Sequence, residues 1–147
     1  MMYDYVGGGN ALGQHYNQNY SREQVKNIVA KFQKCLMGND FIVSLNENRS
    51  ENLALVREYA LNSEKIKMLL LGVGVDDFCH SLNNTKKGYE HEVLYVFSPQ
   101  WRLTNVFGEA KRLSIYVKIN FIRKQANDFC IVISFHKRNK KIAYLFR

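Results

Sequence analysis

Two runs of sequence decide the fold: residues 113–122, LSIYVKINFI, and residues 129–137, FCIVISFHK, joined by the polar link RKQAND. Both alternate. In the first, Leu113, Ile115, Val117, Ile119 and Phe121 fall on one face and Ser114, Tyr116, Lys118 and Asn120 on the other, which is the two-residue period of a half-buried strand. In the second, Phe129, Ile131, Ile133 and Phe135 share a face, with Ser134 and His136 opposite. So short a link predicts an antiparallel hairpin, and laying the odd-numbered apolar faces together pairs even residues with even. Tyr116 then faces His136 or its neighbour Ser134; if the turn centres on Ala126, Tyr116 lies directly across from His136, with Cβ atoms about 4.5–5.5 Å apart. The polar face of this hairpin brings together a phenol, an amine and an imidazole.

Ahead of the hairpin the chain reads as helices followed by strands. Ser21 opens a helix, and Gln24 three positions on completes a capping box. Val25, Ile28, Val29, Phe32 and Leu36 recur at helical spacing until Gly38 stops the run. Residues 40–45 (DFIVSL) read as a short strand. Residues 50–60 form a second helix through Leu53, Leu55, Val56, Tyr59 and Ala60, and Ser63 caps a third with Ile66, Leu69 and Leu70 turned inward. From Val75 the pattern changes to strands: 77–82 (DFCHSL), 89–97 (YEHEVLYVF), the hairpin, and 142–146 (IAYLF). A long connection, 98–112, holds the only proline, Pro99, and the only tryptophan, Trp101. The expected class is α+β, with N-terminal helices packed on a C-terminal antiparallel sheet of four to six strands.

At 147 residues the chain suits one domain, 20–147, preceded by a flexible arm over 1–19. The arm's GGGNALGQ has neither the preceding strand nor the following Gly-Lys-Ser/Thr of a phosphate-binding loop, and His15 goes with the arm. A net charge of +8 and a pI near 9.4 favour a polyanionic partner. Cys35, Cys79 and Cys130 are odd in number and form no C-x-x-C pair, which points to a reducing cytoplasm and away from a zinc finger. No apolar run approaches the roughly 18 residues of a membrane span, and residues 1–20 lack a signal peptide's charged start and apolar centre. A soluble cytoplasmic protein with no membrane partner is the expectation.

Three histidines outside the arm, His80, His91 and His136, each fall on an expected strand. Histidine exchanges its proton near neutral pH, and histidine clustered with tyrosine and lysine is what metal-free RNA cleavage by transesterification requires. One group removes the 2′-hydroxyl proton, a second protonates the leaving 5′-oxygen, and a cation offsets the charge building on phosphorus. No two of the histidines have the i, i+2 or i, i+4 spacing of a metal site, and Cys79 is expected on the strand face opposite His80, so no metal or other cofactor is expected. Lys111, Arg112, Lys118 and Lys137 flank the polar face, where they can track a phosphate backbone. Tyr89, Trp101, Phe107 or Tyr116 can stack a base of a single strand.

The segments DDFCHSL, EHEVLYVF, IYVKI and IVISFHK, together with QVKNIV and LLLGV in the helical half, give the chain a resemblance to a known family. From roughly Tyr20 to Lys137 it resembles the motility quorum-sensing regulator toxins, mRNA interferases of type II toxin–antitoxin systems with a RelE-like ribonuclease fold. The resemblance places that family's functional lysine after D-F at His80, its strand glutamine near His91, its tyrosine at Tyr116 and its lysine after S-F at His136. Histidine thus stands where the family carries two lysines and a glutamine. The extra arm, the enlarged 98–112 connection and the final IAYLF make a distant relative the better description.

The resemblance implies a toxin-like endoribonuclease that cuts single-stranded mRNA and is neutralised by a cognate antitoxin protein. Tyr116 and His136 would handle protons, with His80 and His91 as further acid, base or phosphate contacts. The alternative is a non-catalytic basic nucleic-acid- or protein-binding module of the kind a mobile element carries. A purely structural partner-binding domain without nucleic-acid affinity is a further rival.

Overall fold

The computed structural model describes residues 16–147; the arm's GGGNALGQ and His15 lie outside the described residues. Helix α1, Arg22–Met37, starts on the expected capping box: Ser21 Oγ accepts from the Gln24 amide at 3.1 Å and Gln24 Oε1 from the Ser21 amide at 2.7 Å. It buries Val25, Val29, Phe32 and Leu36 as their spacing requires, and Cys35 with them. Helix α2, Ser50–Glu58, is entered through a 3₁₀ turn at Glu47–Arg49 and ends two residues short of the expected 60. Helix α3, Ser63–Leu71, is capped one residue earlier than expected, because the Asn62 carboxamide accepts from the Lys65 amide at 2.9 Å and leaves Ser63 as the first helical residue.

The strands are β1 (Tyr16–Asn17), β2 (Phe41–Val43), β3 (Phe78–Asn83), β4 (Val93–Phe97), β5 (Gln100–Thr104), β6 (Ala110–Lys124) and β7 (Asn127–Lys137). They form a sheet in the order β1-β3-β4-β6-β7-β2, with β5 beside the first half of β6. The α+β class is as expected, but the sheet is mixed and has seven strands rather than four to six antiparallel ones. Part of the expected arm supplies β1, and the long connection supplies β5. Residues 16–19 therefore belong to the domain. β2 lies parallel to β7, Phe41 beside Cys130. No short turn joins that pair, so nothing forces the antiparallel direction a hairpin would impose.

The last expected strand, 142–146, is not one. Ile142 and Tyr144 pack on the sheet face away from the helices, whereas Leu145 and Phe146 join the main core. Single contacts replace a ladder: the Leu145 amide donates to the Phe78 carbonyl at 3.0 Å, the Tyr144 hydroxyl to the Ser98 carbonyl at 2.7 Å, and Arg147 pairs with Asp77 at 2.6 Å. The sheet is thus covered on one face by α1–α3 and on part of the other by this C-terminal segment.

β6 alternates as its sequence predicts, turning Ile115, Val117 and Ile119 into the core beneath the helices. β7 does not. A two-residue turn at Gln125 and Ala126 pairs Lys124 with Asn127, even with odd, and a β-bulge at Ile133 then restores even-with-even pairing for Lys118–Ser134 and Tyr116–His136. The helix-side residues are consequently Cys130, Val132 and Phe135, while Ile133 packs on the opposite face and Phe129 and Ile131 stay outside the core. The expectation that Phe129, Ile131, Ile133 and Phe135 share one buried face fails because the extra residue shifts the phase midway. A second bulge, in β3, turns Cys79 and His80 to the same side, where Cys79 packs with Leu82, Leu94 and Val96, so the expected opposition of Cys79 and His80 fails for the same reason.

A bulge leaves backbone groups outside the ladder, and here α2 supplies their partners. Asn52, buried in the helix face that meets β7, donates from Nδ2 to the Ile133 carbonyl at 3.0 Å and to the Ser44 carbonyl at 2.7 Å, and its Oδ1 accepts from the Phe135 amide at 2.9 Å. Replacement by leucine keeps the volume and strands all three groups, each worth about 1–3 kcal/mol when buried without a partner. Asn52→Leu is therefore expected to lower the unfolding free energy by about 3 kcal/mol or more, measured by urea denaturation; a loss below about 1 kcal/mol would show that the bulge does not depend on this amide.

A candidate nucleic-acid cleft

The two bulges aim polar side chains at the sheet face that the helices leave open. Across β3, β4, β6 and β7, one row of paired residues runs His80, Val96, Lys118, Ser134. The neighbouring row sets Tyr116 against His136, one of the two partners the hairpin allowed. His80, Tyr116, Lys118, Ser134 and His136 line a cavity of about 770 Å³ between the sheet and the C-terminal segment. Arg49, Arg138, Lys140 and Lys141 bring positive charge to its walls, and Leu82 and Ile142 give it an apolar side. Among the described residues lining it, Glu51 is the one carboxylate, and it accepts from the Asn139 side-chain carboxamide at 2.7 Å.

The Tyr116 and His136 rings stack at 5.4 Å with 18° between their planes. His136 Nδ1 lies 2.7 Å from the Lys137 carbonyl, which can only accept, so Nδ1 carries the hydrogen. The lone pair of the neutral ring is then on Nε2, the tautomer a general base needs. Lys118 is only 6% exposed and shares a row with Ser134, which places its amine in the floor of the cleft.

His80 stands at the β3 side. It is 3% exposed, its ring stacks on Tyr16 at 4.2 Å and 11°, and among the described residues its Nε2 has no hydrogen-bond partner. Burial pushes its pKa down to about 4, so the ring is neutral at pH 7. The three cysteines are buried free thiols, and burial raises the pKa of each, that of Cys79 to about 12.

The remaining sequence candidates go elsewhere. His91 precedes β4 in a turn rather than standing on the strand, is exposed and does not line the cleft. Lys137 points to the helix side and pairs with Glu58 at 2.9 Å, which raises its pKa. Lys111 and Arg112 lie on the β5–β6 hairpin, beyond the cleft. There Arg112 sits directly opposite Arg102, its guanidinium held by Gln100 Oε1, and Phe107 at the hairpin tip is 83% exposed. Facing like charges oppose strand pairing, so a bound anion would relieve this arrangement. The contributions of Tyr16, Arg49 and Arg102 escaped the sequence reading; the 138–141 charge run, RNKK, was the visible trace of the basic wall.

Among the described residues no three His, Cys, Asp or Glu side chains converge on one point, and no helix is long and apolar enough to cross a membrane. Set against protein-family models, curated proteins and solved structures, the chain matches none of them.

His80 also ties stability to pH. Its folded pKa lies below the ordinary 6.5, so as pH falls the unfolded chain takes up this proton first. Its contribution is whole above about pH 6.5 and is lost on the way down to about pH 4, amounting to roughly 3 kcal/mol. Between pH 7 and 4 the unfolding free energy of the wild type is expected to fall by about that much more than the free energy of His80→Leu, in matched urea titrations; parallel curves would show that the imidazole is solvated.

Proposed function

We propose that the protein is a toxin-like endoribonuclease that cleaves single-stranded mRNA by attack of a 2′-hydroxyl on the adjacent phosphorus. The observation that carries this reading is the pairing of Tyr116 with His136 across the β6–β7 ladder, beside a buried Lys118, in a cleft walled by arginine and lysine. His136 Nε2 takes the 2′-hydroxyl proton, and the new oxygen–phosphorus bond forms as the bond to the 5′-oxygen breaks. The Tyr116 phenol donates a proton to that leaving oxygen, and the Lys118 ammonium offsets the negative charge gathered on phosphorus. The products are a 2′,3′-cyclic phosphate and a free 5′-hydroxyl.

Several features support an RNA strand as the occupant. The net charge of +8 attracts a polyanion, and the cleft combines cations with ring faces on which bases stack. On β6, Arg112, Ser114, Tyr116 and Lys118 have the same parity, so a strand leaving the cleft meets the Arg102–Arg112 pair about 14 Å along β6 from Tyr116. By the resemblance, a cognate antitoxin protein neutralises the activity. Expression alone should then arrest growth, and co-expression of a neighbouring reading frame should relieve the arrest.

Incubation of a long RNA in EDTA with the wild type is expected to give cleavage products, and His136→Ala is expected to cut about 10²–10⁴-fold more slowly with its fold intact by circular dichroism. Equal rates would sink the assignment, and retained RNA binding without any product would favour the non-catalytic binding module. Arg102→Ser with Arg112→Ser should weaken binding of a single-stranded RNA and flatten the slope of log K against log salt by about 1.4, if each arginine meets one phosphate. An unchanged slope would exclude the hairpin from the RNA path.

A further inference from the structure

We propose that His80 is a base-reading group, whose Nε2 hydrogen-bonds the edge of one nucleobase of the RNA held in the cleft, and that it takes no part in moving protons during cleavage. This assignment rests on the ribonuclease reading of the same cleft.

Three observations lead to it. The first is the unpartnered Nε2: among the described residues it meets no donor or acceptor, although the ring is 97% buried and lines the cavity. A buried polar atom of this kind gains from any ligand that completes its hydrogen bond, and a ligand that fills the space without doing so leaves it stranded. The second is orientation. Tyr16 lies nearly parallel on the imidazole and is itself fixed by its pairing with Leu82 and by the Gln18 carboxamide, which donates to the Cys79 carbonyl at 2.9 Å. The plane of the ring, and with it the direction of the Nε2 bond, is therefore set before a ligand arrives. The third is distance. His80 is two strands and one residue pair from Tyr116, roughly 12 Å between backbones by sheet geometry. That separation suits a base edge lying at one end of the cleft while its phosphodiester lies at the other.

The alternative, that His80 donates or removes a proton in the reaction, is disfavoured by the same burial. Among the described residues that line the cleft the one carboxylate, Glu51, accepts from the Asn139 carboxamide rather than from His80, and burial keeps the ring neutral at the pH where RNA cleavage would be measured. A neutral, fixed ring makes one directional hydrogen bond, which selects among bases by their donor and acceptor pattern.

The test uses the four 2′-deoxy homodinucleotides of adenine, cytosine, guanine and uracil, which lack the attacking hydroxyl and cannot be cut. With the full-length protein, the tightest of the four is expected to bind at least about tenfold better than the weakest, and His80→Leu to compress the range to about threefold while leaving the weakest unchanged. Equal affinities in the wild type, a range untouched by His80→Leu, or no binding of any of the four would overturn the proposal. Should that variant fail to fold, the ¹⁵N imidazole resonances of His80 in the wild type decide: they shift on saturation with the preferred dinucleotide and not with the poorest, and an unmoved signal overturns the role. A base preference that depends on His80, in a protein that cuts no RNA, would leave this assignment standing and remove the ribonuclease reading. Loss of cleavage in His80→Leu with the base ranking intact would do the reverse.

Discussion

The site depends on one buried carboxamide. Asn52 reaches from α2 to the two backbone groups that the β7 bulge removes from the ladder, and to the carbonyl after β2 as well. Without the extra residue at Ile133, the register set by the Gln125–Ala126 turn would carry Ser134 and His136 to other partners and place the core residue Phe135 on the open face. Helix, edge strand and central hairpin meet on this side chain, so packing on the helix side fixes which residues line the other face. The bulge in β3 acts similarly, holding Cys79 in apolar surroundings and aiming His80 into the cleft.

The electrostatics of the cleft follow from uneven burial. The rim cations remain near solvent, where salt screens them, while the Lys118 amine lies in the floor in a poorer dielectric. His80 and His136 share the cavity yet differ in state: one is buried beneath Tyr16 and kept neutral, and the other is half-exposed with its tautomer set by the Lys137 carbonyl. Two residues of one type thereby acquire distinct capacities, because the backbone places them at different depths.

Much of the frame was legible in the sequence. The capping box at Ser21, the helical spacing through Phe32 and the strict alternation of β6 are local patterns, and local patterns fix local structure. The Tyr116–His136 pairing could be reached because the turn and the bulge offset one another in the count of residues. The bulges themselves were not legible, since one extra residue breaks alternation without any composition of its own, and the run CIVI is apolar whichever residue is displaced. Asn52 was hidden for a related reason: at helical spacing from Leu55 and Tyr59, it reads as a polar interruption until the unpaired carbonyl it serves is known. His91 looked like a strand residue because YEHEV alternates, yet the pairing of β4 with β3 begins only at Val93. Strand β1 was too short for any period to announce it.

The parallel placement of β2 on β7 bears on how the chain comes to fold. Phe41 meets Cys130 and Val43 meets Val132, and the Asn52 contacts to Ile133 and Phe135 span 81 and 83 residues. Contacts of such long range are slow to close, because the intervening chain must lose its freedom before they yield any gain. During synthesis the three helices emerge early with their apolar faces uncovered, and the part of that face that packs on β7 stays open until β7 has left the ribosome. The cleft is thus a late product of folding: no N-terminal fragment contains it, and the groups that line it come together only when the sheet closes.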